Sequence, residues 1–514
     1  MMSTTAALSA APRALQAVDE GPLELEAIVT VLSAQFDVAT GPRVLMRRRR
    51  LDTFDRRLDA AGLTIEHQIL SVPGSGEQLV LYRPDGTSSV AMSGKSLRWP
   101  ASVDVLPPGP VRDAIAPVIG VRALMVASDE RRRMRRLDLR NYDGKIVARV
   151  CLDEPGSATA SLAQLTVNRL RGYDDQARRA DRLLVGLGLR PVRPEEDAGP
   201  GSAHQVMVTD RSMPARVLLK AALSDFLVTM DENLPGLLDD VDTEFLHDFR
   251  VAVRRTRATL KLGRPALGEV MRSGWEPAFK SLGDLTTPVR DLDVYQLGLP
   301  AMSHWLVSAD PSDLDPLAAH LRRRRALERR KLVRSLKSVK FRRLVTQWRQ
   351  ELATLTDTPQ GAEPEHLLAG WLADRSISRA YKRVARGGAL IGADSPAADL
   401  HGLRKRCKEL RYALEVFAPL INHDARKRAV ADLKDLQDVL GRFQDSEVQR
   451  QAMRGFAEEM MAGGTTAGAV LAMGELIGHL DVGQDQARRE FDAAFARFER
   501  LASLKLMSRL GGAK

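Results

Sequence analysis

The sequence predicts a multidomain α+β chain: an antiparallel β-rich domain, then an all-α bundle built from a duplicated helical unit. Three observations carry this. Short apolar runs broken by Gly, Pro and Asp-Gly signals fill the first two hundred residues. After about Met213 the apolar residues recur at spacings of three and four, with few turn signals. Two related segments then recur 154 residues apart, at Leu246 and Leu400.

Taken in order, residues 1–20 are small and polar and are expected to form a flexible tail. Residues 21–190 carry the punctuation of strands and hairpins, in VPGSGEQ, RPDGTSS, PPGP and NYDGK. LDLRNYDGKIVARVCLD reads as two strands joined at Asp143-Gly144. A helical stretch, YDDQARRADRLLVGLG, follows. Residues 191–212, opening PVRPEEDAGPGS, have no apolar period and read as a linker. Residues 213–510 form the helical domain, in two repeats of about 213–365 and 366–510. Helices are expected over 214–234, 243–262, 316–355, 399–418, 424–453 and 484–509.

The 514 residues carry a formal net charge of +11. Residues 1–209 hold 28 basic and 25 acidic side chains, so 49 and 41 remain beyond them, a net of +3 against +8. A basic balance favours anionic partners without specifying a fold. Two cysteines, Cys151 and Cys407, make neither a disulfide framework nor a thiolate metal site. There is no basic n-region leading into a long apolar run, and no apolar stretch near the ~18 residues that span a bilayer. The expectation is a soluble cytoplasmic protein with no membrane contact.

The repeat is the most informative feature. At an offset of 154, His247 pairs with His401, Arg250 with Arg404, Arg254 with Lys408 and Arg257 with Arg411. Further on, Lys280 pairs with Lys434, Leu282 with Leu436, Asp284 with Asp438, Asp291 with Asp445 and Val294 with Val448. On a helix the first four pairs form one cationic stripe. A second stripe, Leu246, Phe249, Val253, Thr256 and Leu260 in one copy and Leu400, Leu403, Cys407, Leu410 and Leu414 in the other, must face a core. The stripe centres lie roughly a quarter-turn apart at 100° per residue. The cations therefore flank the core, where two copies could wall one groove. From the residues alone two readings stay open. The stripe could be a solvated face or a network closed by Asp284, Asp291 and Glu415, or a polyanion site whose ligand offsets like-charge repulsion. A further amphipathic basic run, 320–350, holds 13 Lys/Arg and one acid, Glu328.

LHDFRVAVRRTR…LGDLTTPVRDLDV and LHGLRKRCKELRYALEVF…LGRFQDSEV resemble the CHAD family, the conserved-histidine α-helical domain. The resemblance covers about 213–510. It implies two related helical bundles with a basic channel that binds inorganic polyphosphate, and granule residence. Carried over by position, the implied polyphosphate ligands are His247, Arg250, Arg254, Arg255, Arg257, His401, Arg404, Lys408 and Arg411. Lys280, Lys434, Arg325, Arg329, Lys340 and Arg343 are additional cationic candidates. The second copy departs from the pattern, with Gln444 and Glu447 where the first has Arg290 and Asp293.

The N-terminal domain resembles a CYTH domain, the fold of triphosphate tunnel enzymes, through LELEAIV, RRLDTFDRRLDAAGLTI and DLRNYDGKIVARVCLD. The family's Glu-x-Glu-x-Lys opening matches Glu24 and Glu26, with Ile28 in place of the lysine. The strand TIEHQIL carries Glu66 and Gln68 where an arginine is usual, and LAQLTVNRL offers Gln164, Thr166 and Asn168 where glutamates hold metal. Triphosphate hydrolysis needs carboxylates for Mg²⁺ or Mn²⁺ and cations for phosphate. The expectation is a degenerate domain without activity, serving a structural, partner-docking or self-association role.

No cofactor and no metal site are expected, since His247 and His401 lack a second ligand at i+3 or i+4. No Walker loop, nucleophile elbow or catalytic triad is present. The expected function is polyphosphate binding, with a CYTH-type metal-dependent triphosphatase or a general polyanion binder as alternatives. Nucleic acid is disfavoured: aromatics are 5% of the chain, and only Tyr412 sits by the cationic stripes.

Overall fold

The computed structural model describes residues 13–16, 24–72, 76–84, 88–93, 96–156, 163–191, 210–355 and 367–510. The chain divides into two compact units, 1–203 and 204–514. Most of the expected linker lies outside the described residues.

The first unit is one nine-stranded sheet. Its strands are β1 (Arg13–Gln16), β2 (Asp37–Asp52), β3 (Thr64–Leu70), β4 (Glu77–Tyr82), β5 (Ser88–Ser93), β6 (Met125–Arg140), β7 (Ile146–Pro155), β8 (Gln164–Arg169) and β9 (Arg190–Pro191). They lie in the order β5-β4-β3-β2-β6-β7-β8-β1-β9, every pair antiparallel. Helices α1 (Leu25–Ser33), α2 (Arg57–Ala60), α3 (Pro110–Ile119) and α4 (Asp174–Val185) complete it. Period-2 alternation sends one face of the sheet into apolar cores. One core joins α1 and α4 to Leu137, Leu139, Val150, Leu152, Leu165 and Val167. The other joins α2 and α3 to Leu51, Ile65, Leu79, Leu81 and Leu124. The expected hairpin turns at 141–144, with Gly144 at φ 72°.

Two expectations fail here. Residues 13–16 lie in the region read as a tail, yet they form a strand between β8 and β9. Of LELEAIV, matched to the tunnel family's opening Glu-x-Glu-x-Lys motif in a region read as strands and hairpins, residues 25–29 begin α1 with Glu24 as N-cap. Leu25, Ile28 and Leu32 recur at helical spacing, and Ile28 and Leu32 are buried.

The second unit is helical: α5 (Ala215–Asp239), α6 (Thr243–Leu262), α7 (Arg264–Leu267), α8 (Glu269–Met302), α9 (Asp315–Leu336), α10 (Val339–Thr354), α11 (Ala369–Gly388), α12 (Ala397–Val416), α13 (His423–Ala462) and α14 (Ala467–Leu510). The expected helix over 316–355 is two helices. The chain breaks at Lys337-Ser338, where Ser338 caps α10 by accepting from the Phe341 amide. Asp242 caps α6 in the same way, accepting from Glu244 and Phe245. Two further long helices, α8 and α11, agree with the reading of this half as helical throughout. Pro277, Pro288 and Pro300 inside α8 and Gly387-Gly388 ending α11 look like breakers in sequence, but packing overrides them.

The duplication is exact in helix register. Helices α11, α12 and α13 each begin 154 residues after α5, α6 and α8. Pro214 and Leu368, themselves 154 apart, form an antiparallel bridge. Antiparallel pairing of equivalent residues places a local two-fold axis between them, as in an isologous dimer. The apolar stripe behaves as expected: Leu246, Phe249, Val253, Thr256, Leu260, Leu400, Leu403, Cys407, Leu410 and Leu414 are all buried. Burial pushes the Cys407 thiol up to about 12, which suits a packing role.

Glycines test this packing. A Cβ on Gly388 would fall 1.9 Å from the Phe495 ring, whereas exposed Gly474 in α14 has open space. Gly388→Ala should destabilise the protein by about 1–3 kcal/mol through overpacking. Gly474→Ala should stabilise it by about 0.5–1 kcal/mol through helix propensity. Thermal melts of the two variants should therefore move in opposite directions.

Candidate anion-binding cleft

Helices α6, α12 and α13 wall a cleft of about 830 Å³. The core-facing stripes fix the rotation of α6 and α12, and the neighbouring stripe on each helix then turns toward the gap between them. Helix α6 supplies His247, Arg254 and Arg255; α12 supplies Arg404, Lys408 and Arg411. Six of the nine principal candidates thus meet in one cleft, drawn from both repeats. The cations are incompletely neutralised. Glu415 bridges Arg255 at 3.2 Å and Arg411 at 2.9 Å, and Asp445 accepts from Arg404 at 3.0 Å. Among the described residues Arg254 has no such carboxylate; its guanidinium lies over the Tyr412 ring, 5.7 Å from the centroid.

Lys408 is the most perturbed of these groups. Burial, reinforced by Arg404 and Arg254 and opposed by Asp445, lowers its ammonium pKa to about 8. His247 is also held below the ordinary imidazole range, by burial first and then by Arg290.

Three principal candidates do not line the cleft. Arg250 spends its guanidinium between helices, donating to the Gly283 carbonyl (3.0 Å), Thr286 Oγ1 (2.7 Å) and Thr287 Oγ1 (3.0 Å) of α8. His401 Nδ1 lies 2.6 Å from Gln444 Oε1. Arg257 lies beyond the cleft with a buried Nε that no described group accepts from. The additional candidates also lie elsewhere. Arg325 is a structural cation, bonded to buried Asp293 at 2.5 Å and to Asp240 at 2.7 Å. Arg329 pairs with Asp240 and donates to the Leu238 carbonyl. Lys280 pairs with Asp284 at 3.3 Å, and Lys434, Lys340 and Arg343 are exposed on α13 and α10. Sequence reasoning missed Arg442 and Gln437 and read Asp438 only as the repeat partner of Asp284; α13 adds all three to the cleft. Arg442 aligns with Pro288 in the first copy, so comparison of the repeats gave it no signal.

Residues 221–454 match the family model of the CHAD domain. The helical unit carries a CHAD domain. Among solved structures, the CHAD domain of the plant Ricinus communis is 24% identical, matching 57% of this chain and 93% of that one, with a TM-score of 0.47. PptA from Streptomyces chartreusis is 18% identical over 55% of this chain and 99% of that one, TM-score 0.44. A putative adenylyl cyclase from Hippeastrum with a dominant triphosphatase activity is 13% identical over 35% and 88%, TM-score 0.25. Curated proteins give no match. The cleft lies within the CHAD match, whose bounds enclose both stripe helices.

In the N-terminal unit, Glu24 and Glu26 cannot act as a metal pair. They sit exposed at the start of α1, where residues two apart diverge around the helix. Strands β2 and β6 are nonetheless rich in arginine. What the structure shows is neutralisation. Arg48 pairs with Glu130 at 3.0 Å and Asp153 at 3.2 Å and lies 3.9 Å from Glu66; Arg132 meets Asp153 at 2.7 Å. Burial raises the Glu66 pKa, with Arg48 opposing. Gln164, Thr166 and Asn168 lie on β8, where Asn168 donates to Cys151 Sγ. Among the described residues no three of His, Cys, Asp and Glu gather as a metal site would. No helix among them is long and apolar enough to cross a membrane.

These placements separate structural from ligand-facing cations. Arg250→Ala should cost about 1–3 kcal/mol of stability, since buried acceptors lose a charged donor, while polyanion affinity is retained. Glu415→Gln should do the reverse, tightening polyanion binding several-fold by releasing Arg255 and Arg411, with little change in melting temperature. Calorimetric titration and thermal melts on both variants check the pair.

Proposed function

We propose that this chain is a binding protein for inorganic polyphosphate, with the α6–α12–α13 cleft as its site. The observation that carries the reading is the convergence of Arg254, Arg255, Arg404, Lys408 and Arg411 from two repeats on one open cleft. A cluster of like charges opposes folding, and a ligand that carries a charge at every phosphate offsets the repulsion along its length. Among the described residues Tyr412 is the one Phe, Tyr or Trp lining the cleft, and that ring already underlies Arg254. Successive base stacking, the mode of single-strand nucleic-acid binders, has no platform there. Residence on polyphosphate granules is the cellular corollary.

The N-terminal unit, on this proposal, does not turn over substrate. The Arg48–Arg132 cluster is held by Glu130 and Asp153, so a phosphate chain would have to displace carboxylates instead of meeting free cations. Strand β8 offers amides and a hydroxyl in place of metal-holding acids. Such a sheet serves as a structural or docking body.

Two measurements test these statements. Binding of polyphosphates of graded length, with DNA as control, should weaken as salt rises, in analogy with phosphate neutralisation on nucleic acids. Arg254→Ala and Lys408→Ala should each lower affinity and flatten the salt slope by about one charge, and the double variant should lower it further. Unchanged affinity with a lower melting temperature would assign the stripe to holding the bundle together. Separately, the full chain should release no phosphate from tripolyphosphate with Mg²⁺ or Mn²⁺. Metal-dependent turnover abolished by substituting Glu130 and Asp153 would overturn the inactive assignment.

A further inference from the structure

Lys408 differs from the other cations of the cleft. Arg255, Arg404 and Arg411 each have a carboxylate partner, whereas among the described residues Lys408 Nζ has neither a hydrogen bond nor an ion pair. The side chain is partly buried beside the core residue Cys407, yet it lines the open cleft. The charges facing it are Arg404 from its own helix, Arg254 from α6 and Asp445 from α13. Arg254, Arg404 and Lys408 therefore line the same open cleft, close enough for both guanidiniums to act on the amine. We propose that Lys408 is a modification site, acylated at Nζ by small acyl phosphates whose phosphate group is held by Arg254 and Arg404.

The chemistry requires a neutral amine and a positioned leaving group. Burial and the two arginines bring Lys408 to about 8, so near neutral pH a substantial fraction lacks its proton. An ordinary lysine near 10.4 has about a hundredfold less of that form at pH 8. In the reaction Nζ attacks the acyl carbonyl carbon and a C–N bond forms. The C–O bond to phosphate breaks, and inorganic phosphate departs with that electron pair. The ammonium proton passes to water, nothing is oxidised or reduced, and the product is a neutral amide. Arg254 and Arg404 stabilise the negative charge that grows on the departing phosphate. Acylation removes one cation from the cleft and leaves the fold intact, so it acts as an off-switch for anion binding.

This inference rests on the reading of the cleft as a phosphate site, and the experiment separates the two. The full-length protein is incubated with acetyl phosphate across neutral to mildly alkaline pH, and acetylation is quantified by peptide mass spectrometry. Lys405, exposed on the same helix, and Lys434 on α13 are internal comparators. With acetyl phosphate Lys408 should be labelled more than tenfold faster than either: the lower pKa alone gives about tenfold, because a weaker base is a weaker nucleophile, and the held phosphate adds to it. Its labelling rate should rise as pH passes through about 8. Excess tripolyphosphate should suppress labelling at Lys408 and spare Lys405. p-Nitrophenyl acetate, a neutral acetyl donor, should prefer Lys408 only through its larger neutral fraction, and so by clearly less than acetyl phosphate does. Labelling of Lys408 no faster than Lys405, or an equal preference with the neutral donor, would overturn the inference. Polyphosphate titration of the unlabelled protein is read in parallel. Selective labelling without polyphosphate affinity sinks the proposed function alone, whereas affinity without selective labelling sinks the modification site alone.

Discussion

The structure of the helical unit depends on one constraint: an apolar stripe and a cationic stripe share a helix, about a quarter-turn apart. Burying Leu246, Phe249, Val253 and Leu260 fixes the rotation of α6, and burying Leu400, Leu403, Cys407 and Leu410 fixes α12. Once those rotations are set, the adjacent cations have little choice of direction. They cannot retreat fully into water, because the helices that bury the apolar stripes also confine them. Packing energy thus holds the charges together, and Coulomb repulsion among them is the standing cost. Glu415, Asp445 and the Tyr412 ring relieve part of it. The Lys408 pKa is depressed by burial first, and by the remaining repulsion from Arg404 and Arg254 second.

The N-terminal sheet handles a comparable density of arginine in another way. Its cations on β2 and β6 are matched locally by carboxylates on neighbouring strands: Arg48 with Glu130 and Asp153, Arg43 with Glu154, Arg47 with Asp129. Cross-strand pairing places partners opposite each other at fixed register, so the charges close among themselves. In the helical unit the stripe runs along one helix and faces a like stripe on another, which leaves a net excess in the gap. One chain therefore contains both a sheet in which many arginines are paired across strands and a cleft in which cations from two helices face one another.

How much of this was legible in the sequence follows from what kind of signal each feature leaves. The duplication, the buried stripe and the convergence of Arg254 with Lys408 were legible because helical periodicity and a gapless offset record them directly. Arg250 and His401 were not legible as structural residues. Their roles depend on Thr286, Thr287 and Gln444, on other helices and more than thirty residues away. The N-terminal strand was missed because four residues, Arg13–Gln16, are too few to show a period. LELEAIV misled because Glu24 and Glu26 fit a strand motif, while Ile28 and Leu32 fit a helix and decide the matter by burial. Helix α8 was hidden by three prolines that packing tolerates.

The bridge between Pro214 and Leu368 carries a consequence of its own. Equivalent residues facing each other across a local two-fold make the helical unit a homodimer whose protomers share one backbone. In a true homodimer every substitution is made twice, so both halves of a shared site must stay alike. A covalent tether removes that obligation. Here His247 faces Arg290 and opens to the cleft, while its counterpart His401 is claimed by Gln444; Arg404 reaches the cleft, while its counterpart Arg250 is claimed by two threonines. The two ends of the cleft are therefore chemically distinct. For a linear occupant that is the same read from either end, such a seat makes chemically equivalent groups inequivalent, because each half of it would meet different neighbours.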